Sequence, residues 1–503
     1  MLNWSQVWAC CSLIFLCASG ARAGDKDAQR MVLDPEVPPQ QANGESTGFG
    51  HSLVWVGGRL VIGSPRSYLY GDRGGALWFW SEEVGEARAI SVPGLRDWSS
   101  LGWSLASQAG DPVLAAGAPG EQVGGIAGGA VHLLQAGAQT FHWLRRIEPR
   151  APEANAGFGH ALQWNGGGLW ISAPFASGSL GYQEGHLAHY VLGPSGHRFK
   201  SQTDSPSPQS GARFGEAFVV AGGSLIVGAP GQQGGGAVFV MQQSLTLGSS
   251  FQELRQGAAA QAHAGFGSSV ALTPDGLGLA IGAPHAGAGT VHLFERRAAG
   301  PWRFRNQVHA PLRSGASGFG TELSFSDEGL WIAAPGANGQ VYCLVNWRSG
   351  LTPLLFAGGD RDVALGRSIR SGSRILGLGA PGHGVATFQP SVRARVHLEG
   401  SPGLYYSKLD SKRPVHAVAH ARPGPDRVVL GVGGLPPRKR VEFRVLDTEG
   451  AGWTTIGQGR ADAKGAWNWS GELPHTDSPT WKLALHSCNA ALDLFELRNP
   501  SGR

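Results

Sequence analysis

The sequence predicts an all-β chain: a seven-bladed β-propeller of four-stranded antiparallel blades, followed by a small β-sandwich domain. Three observations predict it. A phrase that opens on Phe-Gly (twice Leu-Gly) and closes on Gly-Ala-Pro or a near variant recurs seven times. The copies begin 46 to 57 residues apart, the size of one propeller blade. Glycine supplies 79 of 503 residues and charged residues only 15%, the balance of a chain rich in tight turns and strands.

Residues 1–23 read as a targeting segment. Residues 7–17 are mostly apolar, and Ala21-Arg22-Ala23 places small residues at Ala21 and Ala23 for signal cleavage. The apolar stretch is too short to span a bilayer, and no later stretch reaches that length. The mature protein is therefore expected to be secreted or periplasmic. Cys17 raises a lipoprotein alternative, which Leu16 before it disfavours, since a small residue belongs there. Cleavage leaves Cys343 and Cys488. An oxidising compartment permits a disulfide between them. The alternative is two separate buried thiols, because Cys343 sits in the strand-like run Val341-Tyr342-Cys343-Leu344.

The propeller is expected over residues 30–389. Arg30-Met31-Val32-Leu33 precedes the first copy at the spacing of a fourth strand, and no clear fourth strand follows the seventh copy. The N-terminal strand is thus expected to complete the last blade, with Val392-Arg393-Ala394-Arg395-Val396 as the alternative latch.

The seven copies pair Phe49-Gly50 with Pro65, Leu101-Gly102 with Pro119, Phe158-Gly159 with Pro174, Phe214-Gly215 with Pro230, Phe266-Gly267 with Pro284, Phe319-Gly320 with Pro335, and Leu365-Gly366 with Pro381. From first residue to proline the gap is 16 in five copies and 18 in two. In the first copy Ser52-Leu53-Val54-Trp55-Val56, Gly57-Gly58 and Arg59-Leu60-Val61-Ile62 read as strand, turn and strand. The longer gaps add their residues at that turn, near Asp111-Pro112 and Pro274-Asp275-Gly276, which leaves strand pairing intact. A glycine-rich loop, a third strand and a more polar fourth strand follow each proline.

The Phe-Gly to Gly-Ala-Pro phrase resembles the FG-GAP repeat of integrin α subunits, and the likeness covers roughly residues 30–389. It implies a propeller that displays loops to a ligand. Such repeats often carry a calcium loop of clustered Asp between the first two strands. Here that place holds short turns such as Gly57-Gly58, or one or two carboxylates at Asp275 and at Asp327-Glu328. No calcium, other metal or cofactor is expected.

Residues 391–503 read as a separate module. Three runs alternate like half-buried strands, around Val428, Val441 and Trp481. Ala461-Asp462-Ala463-Lys464-Gly465, then Trp467-Asn468-Trp469 and Leu473-Pro474, is similar to a hairpin of bacterial Ig-like domains, which implies a β-sandwich.

The net charge of +5 is small for this length, so no nucleic-acid partner is expected. The densest basic run, Arg438-Lys439-Arg440, reads as a solvated turn. No hydrolase elbow, zinc helix or phosphate loop occurs, and no catalytic residue is assigned. Histidines recur at matching repeat positions, His51 with His160 and His132 with His292. Residues at equivalent positions face a common axis, yet copies one and three are not neighbours. A structural role is expected for each.

The expected function is an exported, non-enzymatic binding or adhesion protein whose propeller loops meet an extracellular or envelope protein or glycan. The richest anchors are Tyr68, Tyr70, Asp72 and Arg73 in one post-proline loop, and Phe175 and Tyr182 in another. Two alternatives stand beside it. One is a structural part of an envelope assembly that docks through the C-terminal domain. The other is a hydrolase or lyase with its site in the propeller channel.

Overall fold

The computed structural model describes residues 30–33, the blade strands and most of their connections between 47 and 388, and nine strands between 395 and 498. Ala21, Ala23 and Cys488 lie outside the described residues.

The first blade pairs Ser52–Val56, Arg59–Ser64, Ala76–Trp80 and Arg88–Ile90 in that order, every pair antiparallel. Five further blades repeat this meander, opening with Leu105–Ser107, Leu162–Asn165, Phe218–Ala221, Ser269–Leu272 and Leu323–Ser326. The second carries an inserted ribbon, Gln122–Val123 with Ile126–Ala127. The remaining four-stranded sheet is composite. Ser368–Ser371, Leu376–Ala380 and Gly384–Phe388 are completed by Arg30–Leu33, with Arg30 opposite Phe388 and Leu33 opposite Val385. The count of seven blades divides accordingly. Six are complete in consecutive sequence. The seventh repeat supplies three strands, and the N-terminus supplies the fourth.

The first strand of every sheet packs against the first strand of the next, and Ser368–Ser371 packs against both Leu323–Ser326 and Ser52–Val56. The first strands therefore form a closed cycle. Apolar layers lie between successive sheets. One joins Val61 and Phe79 to Leu114 and Phe141. Another joins Trp331 and Cys343 to Ile369 and Leu378. A sheet covered on both faces has no polar side, so its second strand is apolar throughout instead of alternating. Gly168–Ala173 and Gly278–Ala283 are buried at every residue. The outer fourth strand faces water, and only the two ends of Phe141–Ile147 are buried.

The recurrent phrase has a steric origin. The glycine of each Phe-Gly or Leu-Gly pair has φ between 85° and 96°, a left-handed conformation that any side chain would strain. This turn aims the glycine carbonyl at the preceding sheet. There it abuts the glycine of Gly-Ala-Pro: a Cβ on Gly228 would sit 2.0 Å from the Gly267 oxygen, and one on Gly379 would sit 1.8 Å from the Gly50 oxygen. Four serines fasten the same contact. Ser52, Ser104 and Ser269 Oγ donate to the carbonyls of Gly102, Gly159 and Gly320 at 2.7 Å, and Ser368 donates to Gly50 at 2.8 Å. The last bond links the composite sheet to the first blade. The two halves of the phrase thus meet between blades, not within one.

The tail is all-β, with nine strands in one hydrogen-bonded order. That order runs from Trp453–Arg460 through Arg440–Leu446, Thr480–Ser487, Ala490–Arg498, Leu404–Lys408, Arg395–His397, His416–Ala421 and Arg427–Gly433 to Trp467–Glu472. Its two end strands touch, and a Cβ on Gly459 would lie 2.1 Å from Trp467 Nε1. The ribbon curls on itself, where the Ig-like likeness implied two separate sheets. Leu404–Lys408 is the reason, since it pairs with both Arg395–His397 and Ala490–Arg498. Arg395–His397 therefore belongs to the tail and not to the propeller latch. Cys343 is buried on the third strand of the sixth blade. Arg440 of the basic run pairs with Glu442 at 3.0 Å.

Candidate functional site

In an antiparallel meander, the connection between the second and third strands leaves from the same end as the connection to the next blade. The post-proline loops and the Phe-Gly turns therefore share one face of the ring. Both loops singled out from the sequence lie there, in the first and third blades.

Their side chains divide by role. Tyr70 is half-buried and donates its hydroxyl to the Ile90 carbonyl at 3.0 Å, so it braces the loop. Burial raises its pKa. The Asp72 amide donates to Asp97 Oδ1 at 2.9 Å, and Trp98 N donates to the Asp72 carbonyl at 2.6 Å. These bonds tie the loop to the connection that follows. Arg73 has φ 49° and lays its guanidinium 4.9 Å from the centre of the Trp98 ring. Tyr68 stands exposed. In the third blade Tyr182 is 59% exposed, and its carbonyl accepts from Gly211 N at 2.7 Å. Phe175 points the other way, with its ring edge-on to His160 at 5.4 Å.

Sequence reasoning missed three contributors: Trp98 at 53% exposure, Leu180 at 65%, and Ile126 on the inserted ribbon. Trp98 falls in the connection between blades, outside the post-proline loops that drew attention. With Tyr68, Leu69 and Tyr182 these side chains form an apolar set on three successive blades of one face. Its signal in the sequence was a large apolar residue in a segment otherwise made of turn residues.

The histidines also differ from expectation. His51 and His160 come together across the blade between them. Trp103, the residue after Leu101-Gly102, packs against both, with centroids 4.6 Å from His51 and 5.5 Å from His160. His51 Nδ1 donates to the Trp103 carbonyl at 3.0 Å, and Nε2 accepts from Arg367 at 3.4 Å. Both ring nitrogens are thus committed to the neutral form. Desolvation by burial, then the Arg367 charge, pushes the His51 pKa down to about 3. Burial also lowers that of His160, against the pull of Glu216, and its Nδ1 has no hydrogen-bond partner. Arg213 lies 3.8 Å from Glu216.

His132 and His292 are both buried third-strand residues, with different partners. Trp143 Nε1 donates to His132 Nδ1 at 3.1 Å, so His132 Nε2 carries the hydrogen and donates to Glu121 at 2.6 Å. Arg146 holds the other Glu121 oxygen at 2.8 Å. His132 and Glu121 are 1% and 2% exposed, so this is a buried clamp that anchors the inserted ribbon. Beside it lies a cavity of about 230 Å³ lined by Arg96, Glu121, Gln122 and Arg146 with three glycines. His292 sits against Phe266 and has no partner at Nε2; burial pushes its pKa down to about 4.

Asp275, the acidic residue at a first-to-second-strand turn, caps that turn by accepting from Leu277 N and Thr273 Oγ1, and pairs with Arg348. Among the described residues no group of three or more potential metal ligands is gathered, and no helix is long and apolar enough to cross a membrane.

The closed ring of four-stranded antiparallel sheets defines the class: a β-propeller. No protein-family model matches the chain, and no curated protein matches it. Solved structures similar to it include a protein from Bacteroides fragilis provisionally named 6-phosphogluconolactonase, at 12% identity and TM-score 0.46, covering 86% of this chain and 100% of that one. A protein of the same provisional name from Bacteroides uniformis has 11% identity and TM-score 0.45, covering 82% and 99%. The WD40 β-propeller domain of Doa1 has 12% identity and TM-score 0.44, covering 69% and 95%. These likenesses carry no argument about chemistry.

Proposed function

We infer that this chain is an exported, non-enzymatic binding protein, built on FG-GAP-type repeats closed as a seven-membered ring, that meets an extracellular protein or glycan through its Phe-Gly face. One observation carries the reading. Tyr68, Leu69, Trp98, Ile126, Leu180 and Tyr182 gather on one face of three adjacent blades, each at least 37% exposed. Such side chains left exposed gain from burial when a partner covers them, and aromatic anchors of this kind dominate recognition surfaces. The braced loops beneath them hold the set in place before binding, which lowers the entropy cost of association.

The test is a pull-down from envelope and medium fractions with the secreted chain, residues 24–503. Replacing Trp98, Leu180 and Tyr182 together by Ala should weaken capture of the partner about tenfold or more, since loss of one central anchor costs about 2 kcal/mol. Capture that survives the triple change would move recognition to the tail and favour the envelope-docking alternative. The enclosed pair His51 and His160 favours a second reading, a hydrolase or lyase in the channel. It predicts turnover abolished by His51→Gln and untouched by Trp98→Ala.

A further inference from the structure

We propose that the mouth of the central channel, at the join between the composite sheet and the first blade, is a binding site for a carboxylate or phosphate group held by Arg367 and Arg66. The residues that follow the seven Phe-Gly or Leu-Gly pairs are His51, Trp103, His160, Glu216, Ser268, Thr321 and Arg367. They open the innermost strands, so they surround the axis on the Phe-Gly face. Their charges are unevenly spread. Glu216, in the fourth blade, has Arg213 beside it. Across the ring, the side-chain contact of Arg367 is with His51, a neutral acceptor at 3.4 Å. Arg66 follows the proline of the first copy, is exposed, and its amide donates to the Thr47 carbonyl at 2.9 Å, in the turn that leads to His51. No carboxylate among the described residues pairs with either guanidinium.

That arrangement is unusual within this molecule. Arg146, Arg305 and Arg370 each hold a carboxylate within 3 Å. At the mouth, His51 is locked in its Nδ1–H form by the Trp103 carbonyl, so it orients Arg367 without neutralising it. Burial, then the Arg367 charge, disfavours a positive charge on His51 itself. The Trp103 ring packs on the far side of His51 and continues to His160. A guanidinium held by a neutral acceptor, with its remaining N–H groups available, suits a planar carboxylate or a phosphate. Partly enclosed, such a contact is screened less than a surface ion pair.

The site lies on the same face as the exposed apolar set but shares no residue with it, and its test needs no partner. Isothermal titration of residues 24–503 with inorganic phosphate and, separately, with malonate would measure it at low ionic strength. Saturable binding with a Kd of about 1 mM or tighter is expected for at least one of them. Arg367→Gln should weaken it about tenfold or more, and Arg66→Gln should weaken it as well. Trp98→Ala, on the apolar face, should leave it unchanged. Phosphate and malonate titrated in turn separate an inorganic ligand from a carboxylate one. Absence of saturable binding to both anions would overturn the proposal. So would equal binding by the parent and by Arg66→Gln, an exposed position whose replacement leaves the fold intact.

Discussion

At the scale of single residues, the repeat phrase marks a collision avoided. The Gly267 carbonyl would lie 2.0 Å from a Cβ on Gly228, and both groups are backbone-bound, so neither has a rotamer by which to retreat. Gly228→Ala should therefore destabilise the propeller by about 3 kcal/mol or more, read as a lowered denaturation midpoint with unchanged slope. A loss below about 0.5 kcal/mol would show that the blades slide apart freely and that the contact does not set their spacing. Two copies already carry a Cβ there. Opposite Ser172 and Ala333, a Cβ on the next blade's glycine would lie 3.2 and 3.1 Å from their own Cβ atoms, so these two joins are tight around a side chain instead of a carbonyl. The phrase was legible from the sequence, but its cause was not, because the two glycines that meet stand on different blades.

At the scale of elements, the decisive piece is Arg30–Leu33. It supplies the edge of a sheet whose other strands lie more than 330 residues away in sequence. Sequence spacing predicted this pairing, since the seventh repeat lacked a fourth strand and the N-terminus offered one. Removing residues 30–34 should lower the melting temperature by about 4 °C, the effect of losing roughly 3 kcal/mol in a domain of this size. An unchanged melt would show that the ring is held by the inner contacts alone, such as the bond from Ser368 to Gly50. The loop elements were read less completely. Tyr70 and Phe175 looked like ligand anchors because they are aromatic and lie in turn-rich segments. Their contacts with Ile90 and His160 brace the loops from within.

At the scale of the whole molecule, stacking sheets around an axis encloses titratable groups that would be solvated in a single sheet. His51 and His292 carry folded pKa values of about 3 and about 4 against an ordinary 6.5. Between those values the unfolded chain binds protons that the native chain refuses, so stability rises with pH across that window. Acidification from about pH 6.5 should progressively destabilise the propeller, through His292 down to about pH 4 and through His51 down to about pH 3. Replacing His292 by Leu removes one such group from an apolar site beside Phe266. The variant should lose on the order of 2–3 kcal/mol less than the parent between pH 7 and pH 4, measured by denaturant unfolding at each pH. Parallel pH profiles for the two proteins would mean that His292 titrates normally.

The sequence by itself determined the repeat, its strand order and the strand that closes the ring, because these depend on local periodicity and on turns that only glycine adopts. It also determined that the first-to-second-strand turns lack clustered carboxylates. Only the tertiary structure decided which residues meet. His51 and His160 stand in copies that are not neighbours along the chain, yet Trp103 lies between their rings. Trp98, Leu180 and Tyr182 reach one face through connections of different kinds. The curled order of the tail depends on Leu404–Lys408 pairing with two strands far apart in sequence. Such contacts follow from how blades close around an axis, a geometry that no single repeat encodes.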